Sequence, residues 1–417
     1  MTGRYNEYPE YKDSGVEWLG NVPMSWELSR IGGVFEERRE KVSDKDFSAL
    51  SVTKNGIVPQ LDNAAKTDAG DNRKKVCVDD FVINSRSDRK GSSGTSNLNG
   101  SVSLISIVLT PKSITPSFAN HLLRSYPFQN EFYRYGKGIH ADLWSTNYSE
   151  MKNILLAMPS KQEQQKIANF LDHETTKIDI LITKQEKLIE LLKEKRQAVI
   201  SHAVTKGLNC DAPMKDSGVE WLGEVPEHWK VCAIKRQLKS LDFKRIPLSS
   251  DERGKRSGKY RYYGASGVID HIDDFIFDEP TVLIGEDGAN LVNRSTPLAF
   301  SAYGQYWVNN HAHILSPNDG LANYWAEVIE IIDITPLVSG SAQPKFTAEA
   351  LNNLKITFPS SIEERKTIED YISNNKKKYD KLMDKGNKQV ALLKERKIAL
   401  ISAAVTGKID VRHWQEQ

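Results

Sequence analysis

The chain is written twice, and this duplication restricts its fold more than any other feature. Lys12 to Trp26 reads KDSGVEWLGNVPMSW and Lys215 to Trp229 reads KDSGVEWLGEVPEHW, identical at twelve of fifteen positions. A second pair follows: Leu191 to Thr205 is LLKEKRQAVISHAVT, and Leu392 to Thr406 is LLKERKIALISAAVT. Upstream of these, PSKQEQQKI from Pro159 answers PSSIEERKTI from Pro359. Internal self-similarity means that one structural unit is built repeatedly. The segments enclosed by the repeats, about 30–155 and 232–356, show no evident similarity to each other. Two like frames therefore hold two unlike inserts.

The stretches after Pro159 and Pro359 read as long helices. Proline suits a helix start, and none follows until Pro213 in the first copy or anywhere in the second. Glu163 and Glu363 fall in the first turns, where the dipole favours anions. Gly207 and Gly407 suit C-caps. Apolar residues recur at three and four: Ile167, Leu171, Ile178, Leu181, Leu188, Leu192 and Val199, then Ile368, Ile372, Tyr379, Leu382, Leu393 and Leu400. Gln185 and Lys195 interrupt the first stripe, Gly386 and Gln389 the second. A lone helix would expose such a stripe, so the two are expected to pair as an antiparallel coiled coil. About 45 residues at ~1.5 Å each give a rod of roughly 65 Å. The alternative is two ordinary core helices.

The inserts have another rhythm. FVINSRSDRKGSSGTSNLNGSVSLISIVL reads as strand, polar loop, strand, and TVLIGEDGANLVN followed by YWVNNHAHIL does the same. Short β-branched runs between Gly- and Ser-rich loops predict small mixed domains, so the expected fold class is α+β with a pseudo-twofold internal repeat. The expected divisions are 1–158 for the first leader and domain, 159–208 for the first long helix, 209–358 for the second leader and domain, and 359–417 for the second helix and tail.

Catalytic signatures are missing from the sequence. It has no GxxxxGK[ST], GxGxxG or HExxH, and no Asn-Pro-Pro-aromatic motif of amino-methyltransferases. Glu364-Arg365-Lys366 fits the short Glu-x-Lys pattern of nucleases, but on a predicted helix and without a preceding Pro-Asp. His311 and His313 alternate on one face of a strand. Without a third partner they read as hydrogen-bonded strand side chains rather than metal ligands. Cys77, Cys210 and Cys232 form no CxxC pair and read as packing thiols in a reducing compartment. No run reaches the ~18 apolar residues of a membrane span. The polar start MTGRYNEYPEYKDSG lacks the apolar core of a signal peptide. A cytoplasmic protein with no membrane association is expected.

The net charge of +2 gives no overall pull toward nucleic acid, so such a reading rests on where the charge sits. The first insert carries a basic loop, Ser85-Arg86-Ser87-Asp88-Arg89-Lys90-Gly91-Ser92-Ser93. The second carries Arg253, Lys255, Arg256, Lys259 and Arg261 just ahead of Tyr262 and Tyr263. Each insert ends in another small loop, Gly136-Lys137-Gly138-Ile139-His140 and Gly340-Ser341-Ala342-Gln343-Pro344-Lys345. Cations neutralise phosphates, small polar side chains reach phosphates or base edges, and glycines permit close approach. Singly, each loop reads as a solvated turn; four of them, two per half of a duplicated frame, point to duplex DNA. Arg86, Arg89, Lys90, Ser92, Ser93, Lys137 and His140 are the candidates in the first half. Arg253, Lys255, Arg256, Lys259, Arg261, Tyr262, Tyr263, Gln343 and Lys345 are those in the second.

The doubled KDSGVEWLG-VP--W leader, GSAQPKFTAEALNNLKITFPS, IGEDGAN before WVNNHAHIL, and long helices carrying LLKE[KR] resemble the specificity subunit of type I restriction-modification systems. The match runs over nearly the whole chain. It implies two target-recognition domains, each reading half of a split DNA site, held apart at opposite ends of two long helices. It implies no catalysis and no cofactor in this chain, since S-adenosylmethionine would be bound by partner adenine methyltransferase subunits docked on the frame. A separate translocating nuclease subunit would complete the complex. Lys184, Lys187, Glu190 and Glu194, charged and away from the apolar stripe, are the expected partner-binding residues. The final repeat ends soon after Gly407, so the extra C-terminal contact of larger relatives is not expected.

Overall fold

Each KDSG copy closes a small β-hairpin in the same way. Strand Tyr11–Asp13 pairs antiparallel with Asn21–Pro23, and Met214–Asp216 with Glu224–Pro226. The Asp13 carboxylate accepts the Gly15 N–H at 2.9 Å, and Asp216 accepts that of Gly218 at 2.9 Å. Both glycines lie at positive φ, +66° and +68°, a region that a residue with a Cβ adopts only with strain. The computed structural model describes residues 5–60, 70–138, 144–340 and 343–415. They form two compact units: residues up to Glu186 together with those from Asn387 onward, and Lys187–Gly386.

The long helices are Lys161–Lys206 and Ile362–Val405. The division between units falls inside both, so each unit contains half of each helix. In the first unit Asp179 meets Lys397 at 2.6 Å and Glu186 meets Lys394 at 3.3 Å. One number rises as the other falls, which is antiparallel pairing. In the second unit Arg196 meets Asp380 at 3.5 Å.

The expected stripe is buried at Ile167, Leu171, Ile178, Ile368, Ile372, Tyr379 and Leu400, and the seam departs from it by one residue in between. Ile182, Ile189 and Ile200 are buried, whereas Leu181 and Leu188 stand 51 % and 47 % exposed. In the second helix Leu382 is exposed and Val390 buried, and Gly386 lies inside the seam rather than interrupting it. Leu181-Ile182 and Leu188-Ile189 offer adjacent apolar residues, so spacings of three and four fit either stripe, and packing within each unit selects one.

Each insert hangs from the frame by a two-stranded stalk. Glu27–Arg30 pairs with Leu155–Met158, and Trp229–Ala233 with Lys355–Pro359. Beyond the stalks the two unlike sequences build the same four-stranded antiparallel sheet. In the first insert the order is Phe35–Glu37, Ser106–Pro111, Phe81–Asn84, Ser93–Thr95. In the second it is Leu238–Ser240, Ala312–Pro317, Thr281–Gly285, Ala299–Ala302. A nine-residue helix follows the last strand in sequence of each sheet, Pro116–Arg124 or Ala322–Glu330, and turns apolar residues such as Phe118 and Leu122, or Tyr324 and Trp325, into the core. The accompanying three-stranded sheets differ. The first is antiparallel throughout, while in the second Ser257–Gly264 runs parallel to Tyr306–Val308. The mixed α+β class with two long antiparallel helices is thus as expected. The three thiols are free, and Cys210 is exposed rather than packed.

Candidate nucleic-acid interface

The same strand of each four-stranded sheet leads into a loop, and in both units that loop is tied to the one before the insert's last short helix. In the first unit, isolated bridges join Arg86 to Ser145 and Lys137 to Ser145. The Thr146 N–H donates to the Ser85 carbonyl at 3.0 Å. In the second unit the bridges are Asp287 to Lys345 and Ser339 to Lys345, and the Phe346 N–H donates to the Glu286 carbonyl at 2.8 Å. Loops distant in sequence are thereby brought together within each unit, by one backbone junction made twice with different side chains.

In the first junction Arg86 and Arg89 flank Asp88, each at 3.7 Å, with Arg86 half-exposed and Arg89 exposed. Lys137 is paired with Glu150 at 2.7 Å, and Lys90 donates to the Asn130 side chain at 2.6 Å. Such exposed pairs are worth little and are readily exchanged for phosphate. Ser92 and Ser93 do not belong to this surface. Ser93 is 0 % exposed in the sheet, beside the Gln129 amide, and Ser92 is buried next to it. Strand pairing through Ser93 turns both hydroxyls away from solvent. His140 lies outside the described residues.

In the second unit the basic run divides. Lys255, Lys259 and Arg261 are exposed, with Lys259 over the Tyr260 ring. Arg253 is paired with Asp270 and stacked on Tyr262, while Arg256 is paired with Asp273 and stacked on Trp307. Tyr262 and Tyr263 are core residues rather than surface rings. Tyr262 is 1 % exposed, with its hydroxyl accepting the Leu248 N–H, and Tyr263 packs against Tyr306 and Phe300. Alternation along Ser257–Gly264 points Arg261 outward and Tyr262 inward, and the core beneath takes Tyr263 as well. Gln343 is exposed, and Lys345 reaches Glu286 at 3.2 Å.

Beneath this junction lies a charge cluster that the sequence did not disclose. His313, 1 % exposed, meets the Asp242 carboxylate through Nδ1 at 2.6 Å and the Phe346 carbonyl through Nε2 at 2.8 Å. Both partners only accept, so both nitrogens donate and the ring is an imidazolium. Burial opposes that charge, but the bonds to Asp242 and Phe346 and the nearby Asp242 and Glu286 carboxylates outweigh it and raise the His313 pKa. Burial likewise opposes ionisation of Asp242 and Glu286. His313 and the Ile314 N–H lower Asp242, and Arg245, His313 and Lys345 lower Glu286. His311 pairs with Asp287 at 2.8 Å, so both histidines have hydrogen-bond partners.

The turn Asp242–Lys244, within DFKRIP, was also missed. A short aromatic and basic run ahead of a proline was the available signal. On the long helices Lys184 is exposed, Lys187 pairs with Glu190 at 2.8 Å, and Glu194 borders a groove of about 720 Å³ with Leu191, Ala198 and Tyr371. Glu364 and Arg365 serve the frame: Glu364 accepts from Trp229, and Arg365 pairs with Asp319. Among the described residues no group of three or more His, Cys, Asp or Glu is placed to hold a metal, and no helix is long and apolar enough to cross a membrane.

Residues 226–398 match the family described as type I restriction modification DNA specificity domain. A putative type I restriction enzyme specificity subunit of Haemophilus influenzae is 32 % identical over 117 residues, 28 % of this chain and 29 % of that one. The putative MjaX specificity subunit of Methanocaldococcus jannaschii is 21 % identical over 94 % of this chain and 96 % of its own. Two solved structures share the fold. One is a chain from work on complex assembly and conformational transition of the type I R-M system, with TM-score 0.68, 15 % identity, and 92 % and 98 % of the two chains covered. The other is the HsdS subunit of Thermoanaerobacter tengcongensis, with TM-score 0.56, 16 % identity, and 93 % and 98 % covered.

Proposed function

We propose, for a chain that belongs to the specificity-subunit family of type I restriction-modification systems, that each of its two inserts reads one half of a split, asymmetric duplex DNA target. The observation that carries this reading is the junction made twice, Arg86–Ser145–Lys137 and Asp287–Lys345–Ser339. One backbone presents two different sets of side chains, as two different half-sequences require. Arg86, Arg89, Lys90 and Lys137 would meet the first half. Lys255, Lys259, Arg261, Gln343 and Lys345 would meet the second. Phosphate contacts supply most of the affinity, and contacts to base edges supply the sequence.

The chain performs no chemistry of its own. The methyl donor S-adenosylmethionine would be bound by adenine methyltransferase subunits seated on the long helices, and a translocating nuclease subunit would join the same complex in the cytoplasm. Leu181, half-exposed beside Lys184, and in the other unit Leu188, half-exposed on the same helix as Lys187, Glu190 and Glu194, leave apolar and charged side chains available to such a partner. The test is selection of duplexes from a random pool by the full-length chain, alone and with co-expressed methyltransferase, followed by sequencing. Two short conserved blocks separated by a fixed unread gap are expected. A single continuous block, or no enrichment, would overturn the reading.

A further inference from the structure

Phe243 is the most exposed large apolar side chain among the described residues, at 76 %, yet the turn that carries it is held on every side. Leu241 is buried, and its N–H donates to the Ile314 carbonyl at 2.8 Å. The Asp242 carboxylate accepts from the Ile314 N–H at 2.7 Å and from His313 at 2.6 Å. Arg245 is bound to Glu286 and, at 3.0 Å, to the Ala312 carbonyl. The Trp307 indole donates to the Ile246 carbonyl at 2.7 Å. A rigid turn that leaves its one large ring in solvent presents that ring to something outside the chain.

The surroundings identify the ligand. Lys244 follows the ring in sequence and pairs with Glu279 at 3.6 Å, and Arg245, through Glu286, connects the turn to Lys345 on the loop that carries Gln343. On the other side, Trp307 and the Arg256 stacked on it connect it to the basic run. Ile246, 47 % exposed, stands beside it. An exposed ring on a turn whose two cations, Lys244 and Arg245, are paired with Glu279 and Glu286, and which is linked through Glu286 and Trp307 to two loops assigned to DNA, fits a duplex whose phosphates would compete for those cations.

We propose that Phe243 is a wedge that enters the base stack of the half-site read by the second insert, partly unstacking one step and kinking the duplex there. The proposal rests on the DNA-reading function above and deepens it. Apolar wedges of this kind exchange stacking energy for a bent duplex that meets more protein surface, and an aromatic ring can stack on a freed base whatever its identity. Among the described residues, the corresponding turn of the first insert carries no exposed ring. The equivalent edge strand, Phe35–Glu37, runs into Arg38, Arg39 and Glu40, and Arg38 is locked to Asp80 at 2.7 Å. The distortion is therefore confined to one half-site, and the other half is an internal control.

The experiment uses the full-length chain without methyltransferase and its selected target, with 2-aminopurine placed in turn at positions of both half-sites. With the wild-type chain, fluorescence is expected to rise several-fold at one step of the second half-site and nowhere in the first. Phe243→Ala should abolish that rise and weaken binding about tenfold to a hundredfold, while Phe243→Leu should retain part of both. Because the ring packs on no core, neither change should alter folding. A Phe243→Ala chain that still brightens the probe and binds with full affinity would overturn the proposal. So would a bound wild-type target with no brightened step, or normal DNA behaviour combined with loss of a co-purifying protein, which would make Phe243 a protein contact. If the wild-type chain selects no sequence at all, the DNA-reading function itself fails, a result distinct from any of these.

Discussion

Trp26 donates its indole N–H to the Glu163 carboxylate at 3.0 Å, joining the last residue of the leader to the first turn of a long helix. Trp229 repeats the contact with Glu364 at 2.9 Å. The second acceptor is Glu364, not Glu363, which instead bonds Ser361. These pairs explain why leader and helix are duplicated together while the inserts drift. The indole fixes where each helix begins relative to the stalk, so the frame stays in register whatever the insert contains.

The two pairs differ in how much water they see. Glu163 is buried and also accepts from the Tyr8 hydroxyl at 2.6 Å, whereas Glu364 is partly exposed and has only the exposed His228 beside Trp229. Both tryptophans are fully buried, so Trp→Phe costs similar packing at each. The excess at Trp26 reports the carboxylate left short of a donor, about 1–3 kcal/mol. Trp26→Phe should destabilise its unit more than Trp229→Phe, measured by amide hydrogen exchange in the first turn of each helix. Equal protection losses would show that the indole bond contributes nothing beyond packing.

The His313 cluster gives a pH signature confined to the second unit. The His313 pKa is raised above its ordinary 6.5, so its stabilisation is full below about 6.5 and is lost as pH rises through the folded value. Asp242 and Glu286 are lowered, so theirs is present above the ordinary carboxylate range and lost as pH falls through their folded values. Arg245 and Lys345 face the same carboxylates. Urea midpoints of the second unit should fall as pH rises above about 6.5 and through the raised folded value, and His313→Gln should flatten that limb, since an uncharged amide has no imidazolium proton to lose. An unchanged alkaline slope in the variant would assign the titration elsewhere.

Some of this was legible in sequence, and the physics explains which parts. The leader repeat announced the frame because the Asp13–Gly15 contact is local and recurs at Asp216–Gly218, and because each helix start demands a tryptophan and a carboxylate, Trp26–Glu163 or Trp229–Glu364. The shared four-stranded sheet of the inserts was invisible, since a buried strand asks only for apolar residues, and FVIN and TVLIG satisfy the same demand without resembling each other. Ser93 and Tyr262 were misplaced because loop composition does not say which side chains a sheet turns inward. Lys345 was found as one more basic residue, but its union with Asp287 depends on a backbone bridge between loops nearly sixty residues apart.

Exchange of the inserts follows from the stalks. Cuts near residues 30 and 155, or 232 and 356, fall in the paired strands Glu27–Arg30 with Leu155–Met158, or Trp229–Ala233 with Lys355–Pro359. Replacing one insert with that of a relative should change one half of the selected target and leave the other intact. Sequencing of selected DNA decides, and a change in both halves together would refute independent reading.

Cations of the second unit should separate by role. Lys259, exposed over Tyr260, is placed for phosphate, so Lys259→Ala should weaken all duplexes alike and reduce the salt slope by about 0.9. Arg261, outward on its strand and without an ion pair among the described residues, is a candidate for a base edge. Arg261→Ala should cost about 1–3 kcal/mol on the target and relax one position. Binding isotherms across salt concentrations distinguish the two, and identical slopes for both variants and wild type would make these residues solvated surface.

The long helices yield the last prediction. Both cross from one unit to the other without a break, and in each unit they pair antiparallel with alternating spacings of three and four. Four residues added to the first helix alone, between Glu186 and Lys193, would rotate Ile200 and everything beyond it off the seam and should prevent assembly. One heptad added to both helices, after Glu186 and after Gly386, returns each seam residue to its face. It lengthens the connection by about 10 Å at ~1.5 Å per residue, close to three base-pair steps of ~3.4 Å. Neither insert is touched, so both half-sequences should survive while the unread gap between them widens, with the added twist absorbed by the DNA or the helices. Sequencing the sites methylated by the variant with its partner reads the gap directly. An active variant with an unchanged gap would show that the helices do not set the distance.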